Sequence, residues 1–457
     1  MESSKNKIKV DIFSNCYIIL FFDNNNNNRS QCPMISIFNS TTDYKGFVAT
    51  NCEKIRKNNG KGIQQLRFWM CPRKNSQGIC PHCGRPCPTY DTSRVERFFD
   101  FPMLWGIPVF LVYFMRRVSC PEHGVVTEKV PWAEGKETQT KEQVHFLATW
   151  ARRMDWSSVA KYFHTTYGKV ARAVRQIVEY GLKHRSLEDI ESIGVDEIQY
   201  RSGHKYLTLI YQIDGSNKRL LWIGKDRTEQ TMEQFFDEFN KEPADDVPRS
   251  EKIQWVCSDM WKPYLKTIKE HCGNALNILD RFHIKKHLNE AVDQTRKEEI
   301  RRLHSEGKET VLTGSKWLLL KNSKNLSETQ APKLKELLGY NLRCVRAYLL
   351  KESFDRFWTY KSAYWAERYL DNWCTQALKS RITPLKKFVK MIRNHKELIM
   401  NWFASKRLSS GVVEGFNNKV KLTVRKSYGF GSDETLQTAL FHTLGKLPEP
   451  ELTHRFC

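Results

Sequence analysis

"ESIGVDEIQYRSGHKYLTLIYQIDGSNKRLLWIGKD", residues 191–226, decides the fold. It divides into three runs rich in β-branched and aromatic residues, "ESIGVDEIQY", "HKYLTLIYQID" and "KRLLWIGKD", joined by short polar connections. Such runs predict three successive strands. Further along, "EQTMEQFFDEFN" has a helical period, "EKIQWVCSDM" reads as a strand, "WKPYLKTIKEHC" as a helix and "NALNILDRF" as a strand.

Strand, strand, strand, helix, strand, helix, strand is the order of a ribonuclease-H-like α/β domain, whose first part spans 187–284. In that topology the first and fourth strands are neighbours, so acids within the first and at the end of the fourth approach one another. Those acids are Asp196 in "GVDE" and Asp259 in "CSDMW". Two adjacent carboxylates raise each other's pKa, and a divalent cation between them relieves the repulsion. Oxygen-only ligands favour two ions of Mg2+ or Mn2+, which suit in-line displacement at phosphorus. A third carboxylate is then expected.

From 285 to 408 the pattern is helical without a clear strand pair, as in "KHLNEAVDQTRKEEIRRLHSEG", and predicts an α-helical insertion that holds DNA. Beyond it, "SSGVVEGFNNKVKLTVRKSYGFG" (409–431) opens the segment 409–457, read as the final helix of the catalytic core with a C-terminal tail. On helical spacing Val413, Phe416, Val420 and Val424 form an apolar stripe, and Glu414, Asn418, Lys421 and Arg425 fall on the other side. Residues 380–430 carry 12 Lys+Arg against only Glu397 and Glu414. Glu414 is therefore the third acid, with Asn418, Lys421 and Arg425 holding phosphates beside it.

The whole chain has 457 residues, 74 Lys+Arg and 51 Asp+Glu, a net charge of +23. That length implies several domains, and the charge implies an extended polyanion, foremost DNA, as partner. With 40% hydrophobic residues and 13 Trp, the chain is globular and not merely a basic tail. The apolar run "CYIILFF" at 16–22 is far shorter than the roughly 20 residues that span a bilayer. No signal-peptide cleavage pattern follows it. The odd count of 13 cysteines argues against a disulfide framework. No membrane is expected, and the cytoplasm is the expected location.

Eight cysteines lie in the first 120 residues. "CPHCG" gives Cys80 and Cys83 the spacing of a zinc knuckle, and "CPEH" repeats it with Cys120 and His123. "RVERFFDFPMLWGIPVFLVYFMRRVSC" between them reads as paired strands that bring the knuckles together, a zinc ribbon over 66–135 with a structural Zn2+. Cys71 and Cys87 are alternative ligands. Residues 1–65, with their asparagine tract and "IRKNNGKG", read as a low-complexity or disordered extension.

After the ribbon the period changes to 3.6. "KEQVHFLATWARRM", "DWSSVAKYF" (capped by Asp155) and "TTYGKVARAVRQIVEYGLKH" predict helices within 136–186. In the last, Val170, Val174 and Ile177 share one face while Lys169, Arg172 and Gln176 share another, the layout of a DNA-binding helix-turn-helix.

"GVDEIQYRSGHKY", "SDMWKPY", "LDRFHIKKHLNEA" and "VVEGFNNKVKLTVRKSYGF", in this order, resemble the DDE transposases of bacterial insertion sequences of the ISL-three family. The resemblance runs from about residue 75 to the C-terminus. It implies cleavage and strand transfer of an element's DNA ends, a homo-oligomer on DNA in the bacterial nucleoid, and the acidic triad Asp196, Asp259 and Glu414. Asp280 in "LDRFH" is the alternative second acid, and Glu197 and His283 are either groups that support the acids or merely structural. Two other readings stay open: an inactive or domesticated DNA-binding regulator, and a structure-selective nuclease.

Overall fold

The computed structural model describes residues 33–58, 62–201, 203, 205–308, 310–405, 411–427 and 429–452. They form two compact units. The first comprises the described residues up to Arg185 with Arg425–Thr443 and those from Leu447 on; the second comprises Ser186–Val424 with Leu444–Lys446. Among the described residues no helix is long and apolar enough to cross a membrane.

The first unit opens with helix α1 (Pro33–Thr42) and strands β1 (Phe47–Arg56) and β2 (Ile63–Pro72). This corrects the expectation of an unstructured extension over 1–65. The asparagine tract lies outside the described residues, but the part from Pro33 on carries the apolar side chains that a packed element needs. Phe38 stacks on Phe68 at 4.4 Å, and Phe47 meets Trp132 edge-on at 4.9 Å. Strands β3 (Gly78–Ile79), β4 (Pro86–Cys87), β5 (Thr89–Thr92), β6 (Arg97–Leu104), β7 (Ile107–Tyr113), β8 (Arg116–Cys120) and β9 (Gly124–Thr127) follow.

The predicted hairpin is present as β6–β7, but it joins β1 and β2 in a sheet of order β1-β2-β7-β6. It does not carry the cysteines, as was expected. Val109, Leu111 and Val112 of β7 are all buried, so this strand is covered on both faces, and it is paired with β2 and β6 on its two edges. The cysteine turns are instead held by the β3–β4 pair and by the sheet β5-β8-β9. A buried ion pair closes this region: Glu128 accepts from the Arg116 guanidinium at 2.7 and 3.0 Å and from the Tyr113 hydroxyl at 2.5 Å. Losing one partner would strand a buried charge.

Helices α2 (Lys141–Ala151), α3 (Trp156–Tyr162) and α4 (Tyr167–His184) complete this run. Each starts at a side-chain cap: Thr140 on the Gln143 N–H, Asp155 on Ser158 and Thr166 on Lys169, satisfying donors that the first turn leaves open. Leu147, Val159, Val170, Val174 and Ile177 form their core, and Ala439 and Leu447 from the C-terminal segment belong to it. Gly181 leaves the room: a Cβ there would lie 2.5 Å from Leu447 Cβ. Arg425–Thr443 thus packs with the first unit.

The second unit is built on β10 (Ser192–Arg201), β11 (Lys205–Gln212), β12 (Arg219–Lys225), β13 (Trp255–Ser258) and β14 (Leu276–Leu279), with α5 (Glu229–Phe239) and α6 (Lys262–His271) between strands. The sheet order is β12-β11-β10-β13-β14. The first two pairings are antiparallel and the last two parallel. Ile193 and Val195 point to the face covered by α5 and α6, so by alternation Gly194 and Asp196 point to the other. Among the described residues seven α-helices then follow: α7 (Arg281–Ser305), α8 (Lys316–Leu320), α9 (Gln330–Leu338), α10 (Arg343–Phe354), α11 (Ala363–Lys379), α12 (Thr383–Asn394) and α13 (Lys396–Ala404). They share one core around Phe354, Trp373 and Phe388, which also takes in Ile278 and Leu279 of β14. Helices α14 (Gly411–Lys426) and α15 (Asp433–Leu444) close the chain.

Candidate functional site

Register places three acids at one level of the second sheet. Gly194 pairs with Cys257 and Ser258 with Leu279, so Asp196 and Asp259 each stand two residues beyond their last β10–β13 pair. Asp259 and Asp280 each stand one beyond the last β13–β14 pair. Of these, Asp196 and Asp280 come together with His283, their ligand atoms all within 4.8 Å of one another. His283 Nε2 lies 3.8 Å from Asp196 and 3.9 Å from Asp280. Asp259 and Glu414 are outside that group.

Asp280 is buried and caps α7, accepting from the Phe282 N–H at 2.7 Å. Asp259 is more open and accepts from the Trp261 N–H at 2.8 Å. Burial pushes the Asp196 carboxyl up to about 6, and the Asp280 charge adds to that. Burial likewise raises Asp259, with the Glu197 charge adding. Buried acids that repel one another are a donor set suited to a divalent cation.

Helix α14 is seated directly on the strand that carries Asp196. A Cβ on Gly194 would lie 2.5 Å from Val413 Cγ2, so only glycine permits this approach. Phe416 stacks on Tyr211 at 4.7 Å and 8°. Asn417 donates to Asp196 and accepts from the Tyr211 hydroxyl at 3.1 Å. Glu414 is exposed in the first turn of this helix, three residues before Asn417 and so about 4.5 Å of axial rise away. Asn418, Lys421 and Arg425 are exposed as their spacing predicts.

Sequence reasoning missed Asn417, although its place four residues after Val413 on the apolar stripe was a signal: a polar side chain there needs a buried partner. It also missed Arg227. This guanidinium lies 2.7 Å from Glu197 and over the rings of Tyr206 (4.6 Å) and Trp261 (5.1 Å). Glu197 also accepts from the Tyr264 hydroxyl at 3.3 Å, which places it on the α6 side of the sheet, opposite Asp196.

In the first unit Cys80, Cys83, Cys120 and His123 converge within 4.8 Å. Cys83 and Cys120 sulfurs are 3.7 Å apart, and His123 Nδ1 lies 3.5 Å from Cys120 and 3.8 Å from Cys80. Tetrahedral zinc with Zn–S bonds of about 2.3 Å requires ligand separations of about 3.5–3.8 Å, so this set fits the ion. The His123 ring holds the Cys120 thiol down to about 6. Cys87 is buried against the cluster, its sulfur turned to the Arg85 carbonyl at 3.5 Å. Cys71 lies on β2, 3.4 Å from the Thr50 hydroxyl.

The expected recognition face of α4 is partly engaged within its own unit. Lys169 lies 2.6 Å from Asp100 and Arg172 3.6 Å from Glu137. Gln176 is half-buried, whereas Arg172 and Arg175 are exposed.

Known proteins show the same two parts. A zinc-finger model of the IS204/IS1001/IS1096/IS1165 transposases matches residues 76–123, around the cysteine–histidine cluster. The transposase for insertion sequence element IS1001 of Bordetella parapertussis is 27% identical over 359 residues, covering 78% of this chain and 86% of that protein. The transposase for IS1557 of Mycobacterium tuberculosis is 28% identical over 402 residues, 82% of this chain and 87% of that protein. The ISL3 transposase model matches residues 193–440, more than half of the chain and all of the carboxylate-bearing elements. With this match over strands, insertion and seated helix alike, the chain belongs to the ISL3 family of DDE transposases.

Proposed function

We propose that the second unit is a ribonuclease-H-like catalytic core whose metal-holding acids are Asp196, Asp259 and Glu414, and that α2–α4 act as a helix-turn-helix reading the ends of the chain's own insertion sequence. The observation that carries this is the seating of α14: the Gly194–Val413 approach and the Asn417–Asp196 bond bring the helix of Glu414 onto the strand of Asp196. The sheet order and the helices inserted before α14 support the same reading.

Asp259 is preferred to Asp280 as the second acid because it is the more open of the two, whereas Asp280 is buried at the start of α7. An acid that meets a phosphate must stay open to it. Two Mg2+ or Mn2+ ions, when bound, supply activation of the attacking oxygen and neutralisation of the leaving one. Glu414 completes the acidic set, while Asn418, Lys421 and Arg425 grip flanking phosphates. His283 Nε2 stands beside Asp196 and Asp280, 3.8 and 3.9 Å from them, and Asn417 fixes the Asp196 carboxylate. The zinc bound by Cys80, Cys83, Cys120 and His123 is structural, since all four tetrahedral positions are taken by protein. Paired ends imply a homo-oligomer on DNA, working at the nucleoid.

The test is incubation of the purified protein and magnesium with DNA carrying the element's own ends. Cleavage followed by joining to a second DNA is the expected result. Binding without cleavage would make the chain a regulator, and cleavage without joining a nuclease.

A further inference from the structure

Register fixes which residues share the sheet edge that carries the acids. Strands β10, β13 and β14 run parallel, and β12, two antiparallel pairings from β10, runs the same way. Their carboxyl ends face one edge, where ligands of open α/β sheets bind. Glu197 pairs with Thr208 and Thr208 with Gly224, so Arg227 stands three residues beyond that level. It lies on the edge where Asp259 and Asp280 follow β13 and β14.

Arg227 is held there unlike the structural arginines of this unit and its neighbour. Arg116 spends Nε, Nη1 and Nη2 on Glu128 and the Ser76 carbonyl. Arg249 spends all three on Glu188 and the carbonyls of Phe239, Lys241 and Glu242. Their side chains are 9% and 10% exposed. The Arg227 side chain is 41% exposed, and only its Nη1 is engaged, 2.7 Å from Glu197. Among the described residues its Nε and Nη2 have no hydrogen-bond partner.

The guanidinium is nevertheless fixed in place. It lies over the rings of Tyr206 and Trp261, and Glu197 is steadied by the Tyr264 hydroxyl, itself 2.9 Å from the Thr208 hydroxyl. Trp261 is tied to Asp259, which accepts its N–H at 2.8 Å. The Arg227 charge reaches that carboxyl and opposes the rise that burial imposes on it. Nε and Nη2 lie on one side of the guanidinium plane as a two-donor fork, the geometry that matches two oxygens of a phosphate. Because stacking and Glu197 already hold the fork, a phosphate would bind it at little ordering cost.

Resting on the reading that this chain cuts DNA at Asp196, Asp259 and Glu414, we propose that Arg227 grips a phosphate of the strand being cut through Nε and Nη2. That phosphate lies across the cut from those held by α14. Asn417 ties α14 to the Asp196 face of the sheet, whereas Glu197, and Arg227 with it, belong to the α6 face. A strand laid over the carboxyl edge is thus held on both sides of the acids, which fixes the scissile phosphate between them.

The experiment replaces single phosphates around the cut in element-end DNA, one at a time, by neutral methylphosphonates, and measures cutting by the full-length protein in magnesium. With wild type, one replacement close to the cut should slow cutting about 10- to 100-fold, as loss of a charged hydrogen bond does. Arg227→Ala should cut unmodified DNA slower by about the same factor and be indifferent to that one replacement, keeping the other penalties. Lys421→Ala should be indifferent to a replacement on the opposite side of the cut. Arg227→Lys keeps charge without the fork and should show a reduced penalty at the Arg227 position. Glu197→Gln removes the internal partner but leaves the guanidinium, so it should keep the full penalty there. These last two separate a phosphate contact from a structural ion pair even if Arg227→Ala folds poorly. The proposal is overturned if the Arg227 variants pay the full penalty at every position. It is equally overturned if Arg227→Ala and Lys421→Ala are indifferent to the same replacement, or if Glu197→Gln loses the penalty as Arg227→Ala does. A wild-type protein that neither binds nor cuts its ends would instead sink the transposase reading itself.

Discussion

The two groups of metal-type ligands in this chain are built on opposite plans. Cys80, Cys83, Cys120 and His123 come from two tight turns and stand at ligand–ligand distances of 3.5–3.8 Å. The acids come from β10, the ends of β13 and β14, and α14, and only Asp196 and Asp280 with His283 are gathered within 4.8 Å. The bond that ties α14 to β10 joins residues 221 apart in sequence. A closed site made of local turns is complete in itself, as a structural ion requires. An open site assembled from distant elements keeps room for substrate, and its geometry depends on how a single helix is seated.

The largest expected effect tests the open site. Glu414→Gln keeps size and removes charge, so DNA binding should persist while end cleavage falls about a thousandfold or more. On the proposed triad, Asp196→Asn and Asp259→Asn should match it, and the losses should not add, as for residues that act as a unit. Asp280→Asn keeps a capping oxygen for the Phe282 N–H, so it should change stability by only about a few tenths of a kcal/mol and slow cleavage far less. If Asp280→Asn is dead while Asp259→Asn cuts normally, the gathered pair Asp196 and Asp280 is the metal site.

The closed site should fail as a fold. Cys80→Ser/Cys83→Ser, or strong chelation, should remove zinc and lower the thermal midpoint of the first unit by several degrees. Magnesium-dependent cutting would then be lost through end binding. A variant without zinc that melts like wild type would show the cluster to be dispensable.

Seating can be weakened without touching an acid. Asn417→Ala removes the donor to Asp196 and the acceptor of Tyr211 and should slow cleavage about 10- to 100-fold, as loss of a group that orients a ligand does. End binding should stay level. A cleavage rate within twofold of wild type would show that α14 is held by Val413 and Phe416 alone.

What was legible in the sequence follows the same division. Two x-x spacings identify the closed site because its chemistry is local. Strand order and charge bias point to Asp196, Asp259 and Glu414 and keep Asp280 as the alternative second acid, yet which of Asp259 and Asp280 is gathered beside Asp196 depends on how α7 leaves β14. The β6–β7 hairpin is visible, but its sheet is not: apolar strands buried on both faces look alike whichever neighbours they take. The packed elements from Pro33 on were hidden by the asparagine tract before them. Phe38 and Phe47 gain their meaning only from Phe68 and Trp132 far downstream.

The smallest expected effects distinguish two neighbouring cations on α4. Lys169 lies 2.6 Å from Asp100, whose side chain is only 17% exposed, so its charge is already partnered within the unit. Arg172, 52% exposed at 3.6 Å from Glu137, is free to leave its partner for a phosphate at little cost. Lys169→Ala should therefore lower stability by about 0.5 kcal/mol and leave the salt dependence of end binding unchanged. Arg172→Ala should leave stability alone and reduce the slope of log affinity against log salt by about 1. Gln176→Ala, which removes no charge, should leave that slope unchanged and alter only the preference among end sequences. If Lys169→Ala also lowers the slope, Asp100 releases the ammonium when DNA arrives, and all of the predicted face reads the ends.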